Sequence, residues 1–401
     1  MAGLATGESI VNPDKMFEDN GINLIVDSVE SIDREKKQIK LSSGKDVPYD
    51  KMVLGVGSRP FVPPLEGADL KGVFSMRSLK DAENIREFID SRRPRKMVFI
   101  GAGFISMELA AFLQEKEPGK FEISIVELLG HPLPLMVDSE LGARVEEHMK
   151  EKGIGIMTGE KVTKILGSNG AVSGVELSSG ESIPADLVFM NVGARPNLEL
   201  AKDMGLELGR FGIKVNEYLE TSDPDILAAG DCIENHHFVT KQPVPIQLRG
   251  PAVIQGRLAA KRLAGHDIPF PGVLGNTAVR LFDKFFASTG LTEQAAQKEN
   301  FDTVCATVDS RSKHNMIEGK KPWTLKLVFD KENGKLLGGQ IVSDDVAPAK
   351  EIDTINALIL GEKTIRDLTT LMCAGNPDCS SEPSAEPITI AAEQALQKLN
   401  K

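Results

Sequence analysis

K-M-V-F-I-G-A-G-F-I-S-M-E-L-A-A-F-L-Q-E-K, from Lys96 to Lys116, and F-E-I-S-I-V-E, from Phe121 to Glu127, decide how this chain folds. Met97 to Ile100 is a short apolar run, the character of a strand covered on both faces. Gly101-Ala-Gly103-Phe-Ile-Ser106 turns from it into Met107 to Lys116, a run of good helix formers with apolar residues on one side. Phe121 to Val126 reads as a second strand, with Glu127 at its carboxyl end. Such a strand–turn–helix–strand unit binds a dinucleotide: Gly101 permits the tight turn, Gly103 lets backbone approach a pyrophosphate, and the helix amino end attracts the anion. Glu127 is placed to bond the ribose hydroxyl pair and to repel a 2′-phosphate, which favours NADH over NADPH. No Arg or Lys follows it closely, since Leu128, Leu129, Gly130 and His131 come next. The plain alternative is a solvated acid at a strand end. Ser106 replaces the third glycine of the fingerprint. That position serves helix–strand packing, so a small hydroxyl is expected to shift the helix slightly and leave binding intact.

With 401 residues the chain is long enough for two or three domains. A hydrophobic share of 41% and a charged share of 26% place it among ordinary globular proteins. The net charge of -11 argues against nucleic acid or an anionic membrane as partner. No apolar run approaches the roughly 18 residues of a membrane span. Met1 to Ile10 lacks the basic start and apolar stretch of a signal peptide. Four scattered cysteines give neither a disulfide framework nor zinc spacing and suit a reducing compartment, so a cytoplasmic protein is expected. His236-His237 has no further ligands at metal spacing, and no metal site is expected.

Ahead of the central unit, Gly21 to Ser31 and Gln38 to Leu41 read as strands joined by a charged hairpin. Lys51 to Gly57 is an apolar strand running into a Gly57-Ser58 turn, and Phe61 to Gly67 is a proline-rich connector. Ser78 caps a helix from Leu79 to about Ser91. Beyond Glu127 come a helix from Ser139 to Lys152 and strands near Gly155, Val162 to Leu166 and Val172 to Leu177. Turns at Asn169-Gly170 and Ser179-Gly180 separate them. Asp186 to Val192 is another buried strand, ending in Gly193-Ala-Arg-Pro-Asn197. That loop reads equally as a cover over the dinucleotide or as an ordinary turn. Thr221 to Asp231 is a short strand ending in Gly230-Asp231, which puts a carboxylate in the crevice; the alternative is an Asx turn. Gly250 to Leu263 is a helix with Pro251 at its first position and its positive end free to face an anionic ligand atom. From Asn276 onward the pattern is antiparallel, with strands at Ala278–Phe282, Phe286–Gly290, Asp302–Val308, Trp323–Asp330 and Leu336–Val342. Helices are expected at Thr292–Glu299, Ala347–Leu360, Thr364–Leu371 and Pro387–Leu399, making a separate α+β domain.

Taken together, the chain resembles the FAD-dependent pyridine nucleotide–disulfide oxidoreductases. It is most similar to the branch of NADH oxidases, coenzyme A disulfide reductases and polysulfide reductases. The likeness rests on Tyr49-Asp50-Lys51, Gly57-Ser58-Arg59-Pro60, Gly101 to Glu108 and Gly193 to Asn197. It rests also on Thr221 to Asp231, Gly250-Pro-Ala252, Gln255-Gly256-Arg257 and Thr289 to Glu293. The resemblance implies an α/β protein of two Rossmann-like dinucleotide-binding domains, the FAD one incomplete here, and a C-terminal α+β dimerisation domain. It implies residues 1–92 with 212–270 for FAD, 93–211 for NAD(P)H and 271–401 for dimerisation. NADH, in preference to NADPH, is implied at Gly101, Gly103, Phe104, Ile105, Glu108, Glu127 and Gly193. FAD is implied at Gly57, Ser58, Gly230, Asp231, Pro251 and Ala252. The implied activity passes electrons from NADH through FAD to a disulfide, CoA-disulfide, polysulfide or oxygen acceptor. The implied protein is a homodimer with no nucleic-acid or membrane partner.

Two departures from the family stand out. No G-x-G-x-x-G unit and no cysteine precedes Cys232, and Met1-Ala-Gly-Leu-Ala resembles family sequence just beyond the redox cysteine. The expectation is a chain shortened at its amino end that binds FAD poorly. The rival expectation is a non-catalytic protein that binds NADH and dimerises. Second, Asn376-Pro377 stands where dehydrogenase-like members carry a His-Pro proton relay, and Asn cannot exchange a proton. With the family's redox cysteine absent, the catalytic residue is unassigned. Cys373 and Cys379 are candidates for a redox pair, because their loop faces the partner's flavin in family dimers; loop cysteines without a role are the alternative. Cys232 reads as a packing residue and Cys305 as core.

Overall fold

The computed structural model describes residues 7–399. Its central sheet is parallel and five-stranded, in the order Val73–Phe74, Leu187–Met190, Lys96–Ile100, Glu122–Glu127, Ile154–Thr158. Strand residues alternate between two different covers. Met97, Phe99, Ile123, Ile125, Leu187 and Phe189 face the helices Phe104–Lys116 and Ser139–Glu151, packing on Met107, Ala110, Leu141 and Val145. Val98, Ile100, Val126, Val188 and Met190 face a three-stranded antiparallel sheet, Val162–Ser168, Ala171–Leu177 and Ser182–Pro184. Cover on both sides is why Met97–Ile100 is apolar throughout. The rings of Phe99 and Phe189 stack across neighbouring strands at 4.4 Å between centroids.

A second apolar core gathers around the parallel pair Met52–Leu54 and Ile226–Ala228. It is flanked by the antiparallel strands Val29–Asp33, Gln38–Leu41 and Asp46–Pro48 and by the helix Arg249–Leu263. Ser58–Pro60 pairs antiparallel with Ala194–Pro196 and so stitches this part to the central sheet. The C-terminal part is a five-stranded antiparallel sheet in the order Thr277–Leu281, Lys284–Gly290, Leu336–Ser343, Pro322–Asp330, Thr303–Arg311. The helices Ile352–Leu360 and Pro387–Leu399 pack on it around Leu325, Leu327, Phe329 and Ile355.

Four readings from the sequence need correction. The expected strand Gly21–Ser31 is a strand only from Val29; residues 21–28 find no ladder partner among the described residues and lie exposed, Val26 at 89%. A strand exists only with a neighbour to take its hydrogen bonds, which a hydrophobic pattern cannot supply. The expected helix Ala347–Leu360 divides into Val346–Lys350 and Ile352–Leu360 at Glu351. Pro251 stands at the third position of its helix, which starts at Arg249, still within the first turn, whose N–H groups have no partner inside the helix. The central helix begins at Phe104, so Phe104-Ile105-Ser106 is its first turn.

Candidate dinucleotide-binding site

The turn after the central strand is built from two glycines with different reasons. Gly101 has φ +91°, and a Cβ there would lie 3.1 Å from the Asn191 carbonyl oxygen, so the backbone itself demands glycine. Gly103 caps the Phe104–Lys116 helix at φ -71°, which any residue adopts. Nothing lies within 4 Å of where its Cβ would stand. The protein's own packing therefore does not require glycine at 103, and the space it leaves open is at the positive end of a helix.

Glu127 is 7% exposed, so it is not a solvated strand-end acid. Its Oε2 accepts the Ala102 N–H at 2.7 Å and its Oε1 the Leu129 N–H at 2.8 Å. The carboxylate thus lies directly under the glycine turn and retains lone pairs for hydroxyl donors. Ser106 is buried, and its Oγ accepts from Asn191 Nδ2 at 3.4 Å, while Asn191 Oδ1 accepts the Met76 N–H at 3.1 Å. The substituted third glycine therefore packs with its hydroxyl partnered. Gly193 has φ +118° and likewise open space beside it. It follows Leu187–Met190, the strand next to Lys96–Ile100, and its carbonyl accepts the Phe61 N–H at 2.9 Å. Ile105 is part exposed, one helical turn from Glu108. Burial raises the pKa of Glu108, and the Arg280 N–H that its Oε1 accepts only partly offsets this.

The second cluster lies where Met52–Leu54 and Ile226–Ala228 end. Asp231 Oδ2 accepts from Ser58 Oγ at 3.0 Å and pairs with Arg77 Nη2 at 2.7 Å, while Arg77 Nε donates to the Ser58 carbonyl at 2.7 Å. One guanidinium thereby ties the Gly57-Ser58 turn to the Gly230-Asp231 turn. Gln255, fully buried, accepts the Gly230 N–H at 2.8 Å and donates to Asn235 Oδ1 at 2.7 Å. Ala252 stands on the same side, 3.7 Å from where a Gly230 Cβ would be, and Pro251 precedes it on the helix. Sequence reasoning gave no role to Arg77 or Gln255. The only local signal for Arg77 was its place just ahead of the Ser78–Asp81 capping box.

The cysteines divide as their surroundings dictate. Cys232 is buried with its thiol against the Ala229 and Leu54 carbonyls, and burial pushes its pKa up. Cys305 is pushed up to about 12 by burial and by Glu293. Neither is a nucleophile near neutrality. Cys373 and Cys379 are free and exposed, in a loop shaped by Asn376, whose Oδ1 accepts the Asp378 N–H. His237 is a turn former, its Nδ1 accepting the Val239 and Thr240 N–H groups. Among the described residues the one acidic cluster with metal-like spacing is Asp138, Glu140 and Glu293, and the Lys326 ammonium fills it.

A parallel sheet carrying an open glycine turn over a buried acid, beside a second crevice and an antiparallel domain, defines an enzyme built on dinucleotides. Comparison with known proteins gives the class its name. Residues 5–256 match the pyridine nucleotide-disulphide oxidoreductase family and residues 278–386 match the dimerisation domain of that family. The chain is 31% identical over 393 residues to a NADH oxidase of Methanocaldococcus jannaschii, covering 97% of this chain and 86% of that one. It is 33% identical over 371 residues to a NAD(P)H coenzyme A polysulfide/persulfide reductase of Pyrococcus horikoshii, covering 91% and 81%. Among solved structures, a NAD-dependent persulfide reductase from A. fulgidus superposes with TM-score 0.92 at 32% identity, over 99% of this chain and 73% of that one. A water-forming NADH oxidase from Lactobacillus brevis, bound to NADH, superposes with TM-score 0.90 at 25% identity, over 99% and 88%. This chain belongs to the pyridine nucleotide-disulphide oxidoreductase family, whose members are oxidoreductases working with a pyridine nucleotide and FAD. The residues present fit these cofactors at both places. The Gly103 opening suits a pyrophosphate, and Ser58, Arg77 and Asp231 offer polar groups to a hydroxylated chain. No helix among the described residues is long and apolar enough to cross a membrane.

Proposed function

We propose that this chain is a flavin-dependent NADH oxidoreductase whose final acceptor is a low-molecular-weight sulfur compound or oxygen. NADH binds at Gly101, Gly103, Phe104, Ile105, Glu108, Glu127 and Gly193, and FAD at Gly57, Ser58, Gly230, Asp231, Pro251 and Ala252. The observation that carries the reading is the space at Gly103: the fold leaves a helix amino end bare where no packing requires it. The sulfur and oxygen acceptors rest on the persulfide reductases and NADH oxidases that the chain resembles. Residues 1–92 with 212–270, 93–211 and 271–401 are the proposed domains, and the match to a dimerisation domain supports a homodimer. Four free cysteines suit a reducing cytoplasm.

When bound, the two cofactors supply hydride and electron transfer. The protein's part is placement. Ala102 and Glu127 hold the turn in register, and Glu127 presents a carboxylate that favours ribose hydroxyls over a 2′-phosphate. Glu108, made harder to ionise by burial, stands one turn along the helix from Ile105, on the helix that opens at the glycine turn. Arg77 and Gln255 fix the two turns that meet at Asp231.

The test is an absorbance spectrum of the purified protein followed by anaerobic addition of NADH. A flavin band that bleaches supports the reading. A colourless protein that binds NADH but takes up no added FAD overturns the flavin half of it and leaves a nucleotide-binding, dimerising protein. Failure to bind NADH overturns it altogether.

A further inference from the structure

Asp138 is the N-cap of the helix Ser139–Glu151, yet its side chain makes no capping bond to that helix. It caps a different one. Its Oδ2 accepts the Glu293 N–H at 3.0 Å and its Oδ1 the Gln294 N–H at 3.1 Å, at the start of Glu293–Lys298 in the antiparallel part. Gln340 grips the same residue twice, accepting the Asp138 N–H at 2.7 Å and donating from Nε2 to Oδ2 at 2.6 Å. The Lys326 ammonium, 3% exposed, lies 2.9 Å from Asp138, 2.5 Å from Glu140 and 2.8 Å from Glu293. All the polar groups of this buried hub find partners, and two parts of the molecule supply them. It is no cation site, because an ammonium already occupies the centre.

The hub is connected to the glycine turn. The segment from Leu128 to Asp138 leaves the end of the Glu122–Glu127 strand and finishes at the hub. On the way the Leu133 N–H donates to the Ala102 carbonyl at 2.9 Å, and the Ala102 N–H donates to Glu127. The Gly101–Gly103 turn is thereby held from both sides, by Glu127 and by Leu133. Leu133 adopts φ +52°, a left-handed conformation that a leucine keeps only under outside constraint. His131 is buried against Gly142, where a Cβ would lie 2.4 Å from its Nδ1. The segment's outer side, by contrast, is bare at Leu128, Leu129 and Leu135.

We propose that Asp138, Gln340 and Lys326 are positioning residues for NADH: through the 128–138 segment, the C-terminal antiparallel domain braces the glycine turn. This rests on the reading that NADH binds at that turn. Bidentate amide contacts and a buried ammonium give the segment one rigid end, and Glu127 gives it the other. Loss of the hub frees Leu133 to relax and withdraws the Ala102 carbonyl from its partner, so the turn must be reordered whenever nucleotide binds. The cost appears as weaker NADH binding, with no change in nucleotide preference.

Gln340→Met removes both amide bonds without removing a charge, and Asp138→Asn removes the carboxylate at the centre. NADH dissociation constants from nucleotide fluorescence and amide exchange at Leu129 and Leu133 are to be measured on the full chain. Both variants are expected to raise the NADH dissociation constant roughly five- to tenfold, inside the roughly two- to thirtyfold span of such indirect couplings. Exchange at Leu129 and Leu133 should accelerate, while Phe99 and Ile125 in the central strands stay protected. Faster exchange with unchanged NADH affinity overturns the proposal, as does unchanged exchange in a folded variant. If neither variant accumulates, native exchange of the unaltered chain in mild denaturant decides: the Leu133 amide must open together with the C-terminal sheet. Opening with the central strands instead overturns it. Wild-type affinity that is indifferent to Gly103→Ala means that the nucleotide binds elsewhere, and identifies failure of the underlying reading.

Discussion

At Gly103 the folded chain and its ligand make different demands. Alanine fits the observed backbone and meets no atom, so its cost to folding is confined to a poorer N-cap, about 1 kcal/mol. Gly103→Ala is expected to melt within a few degrees of the wild type and to bind NADH at least about tenfold more weakly, because the methyl occupies the space left for a pyrophosphate. Equal affinity in a nucleotide titration would remove the assigned site. His237 makes a different residue-scale case. Burial, helped by Lys241, depresses its pKa to about 4, below the value near 6.5 of an unfolded chain. The unfolded state therefore binds the proton first as pH falls. The stability of the neutral form is complete above about pH 6.5 and is lost as pH drops toward 4, to a total of about 3 kcal/mol. His237→Gln should flatten this slope between pH 7 and 4.5 in denaturant titrations; an unaltered slope would assign it to other groups.

Elements in this protein are fixed at their ends by side chains from elsewhere. The Ile226–Ala228 strand runs into Gly230-Asp231, and the turn is held by the wholly buried Gln255 on the helix Arg249–Leu263. Gln255→Leu leaves the Gly230 N–H and the Asn235 Oδ1 without their partners, at about 1–3 kcal/mol for each buried group stranded. It should lower the denaturation midpoint and weaken FAD uptake together. A variant that loses stability but keeps full FAD affinity would show that this turn does not carry the cofactor. The helix Leu79–Arg92 was legible from its Ser78 cap, which the structure completes with Asp81 into a capping box with both reciprocal bonds. The Gly21–Ser31 strand was not, because its pattern is strand-like while no strand among the described residues pairs with residues 21–28.

For the whole molecule, the C-terminal sheet has two attachments of different kinds. Apolar contact comes through Val279, Leu281, Phe282 and Phe286, which share one core with the helix side of the central sheet. Polar contact comes through the Asp138 hub, through His148 Nε2 at 3.0 Å from the Leu281 carbonyl, and through Arg280, whose N–H donates to Glu108 and whose guanidinium pairs with Glu115. The match of residues 278–386 to the family's dimerisation domain supports the proposed homodimer, which would use a third surface of this part. Sedimentation at micromolar concentration is expected to return about twice the 43.4 kDa of one chain; a monomer at that concentration would refute the homodimer.

The sequence alone determined what depends on neighbours close along the chain. The strand–turn–helix of Met97–Lys116, the acid at Glu127, the two-residue turns and the antiparallel run after Asn276 are all set by local periodicity and by backbone conformations that few residues allow. The family followed from the same motifs in the same order. Only the tertiary structure decided which groups meet across long separations. Arg77 reaching Asp231, Gln255 beneath Gly230, and Asp138 capping a helix more than a hundred residues away are polar contacts with no periodic signature. It also showed that Ser106 packs with a partner and that Gly103 leaves empty space. The physical reason is the range of the forces: local sterics and hydrophobic periodicity are written into consecutive residues, whereas burial and hydrogen-bond partnership exist only once distant segments have been brought together.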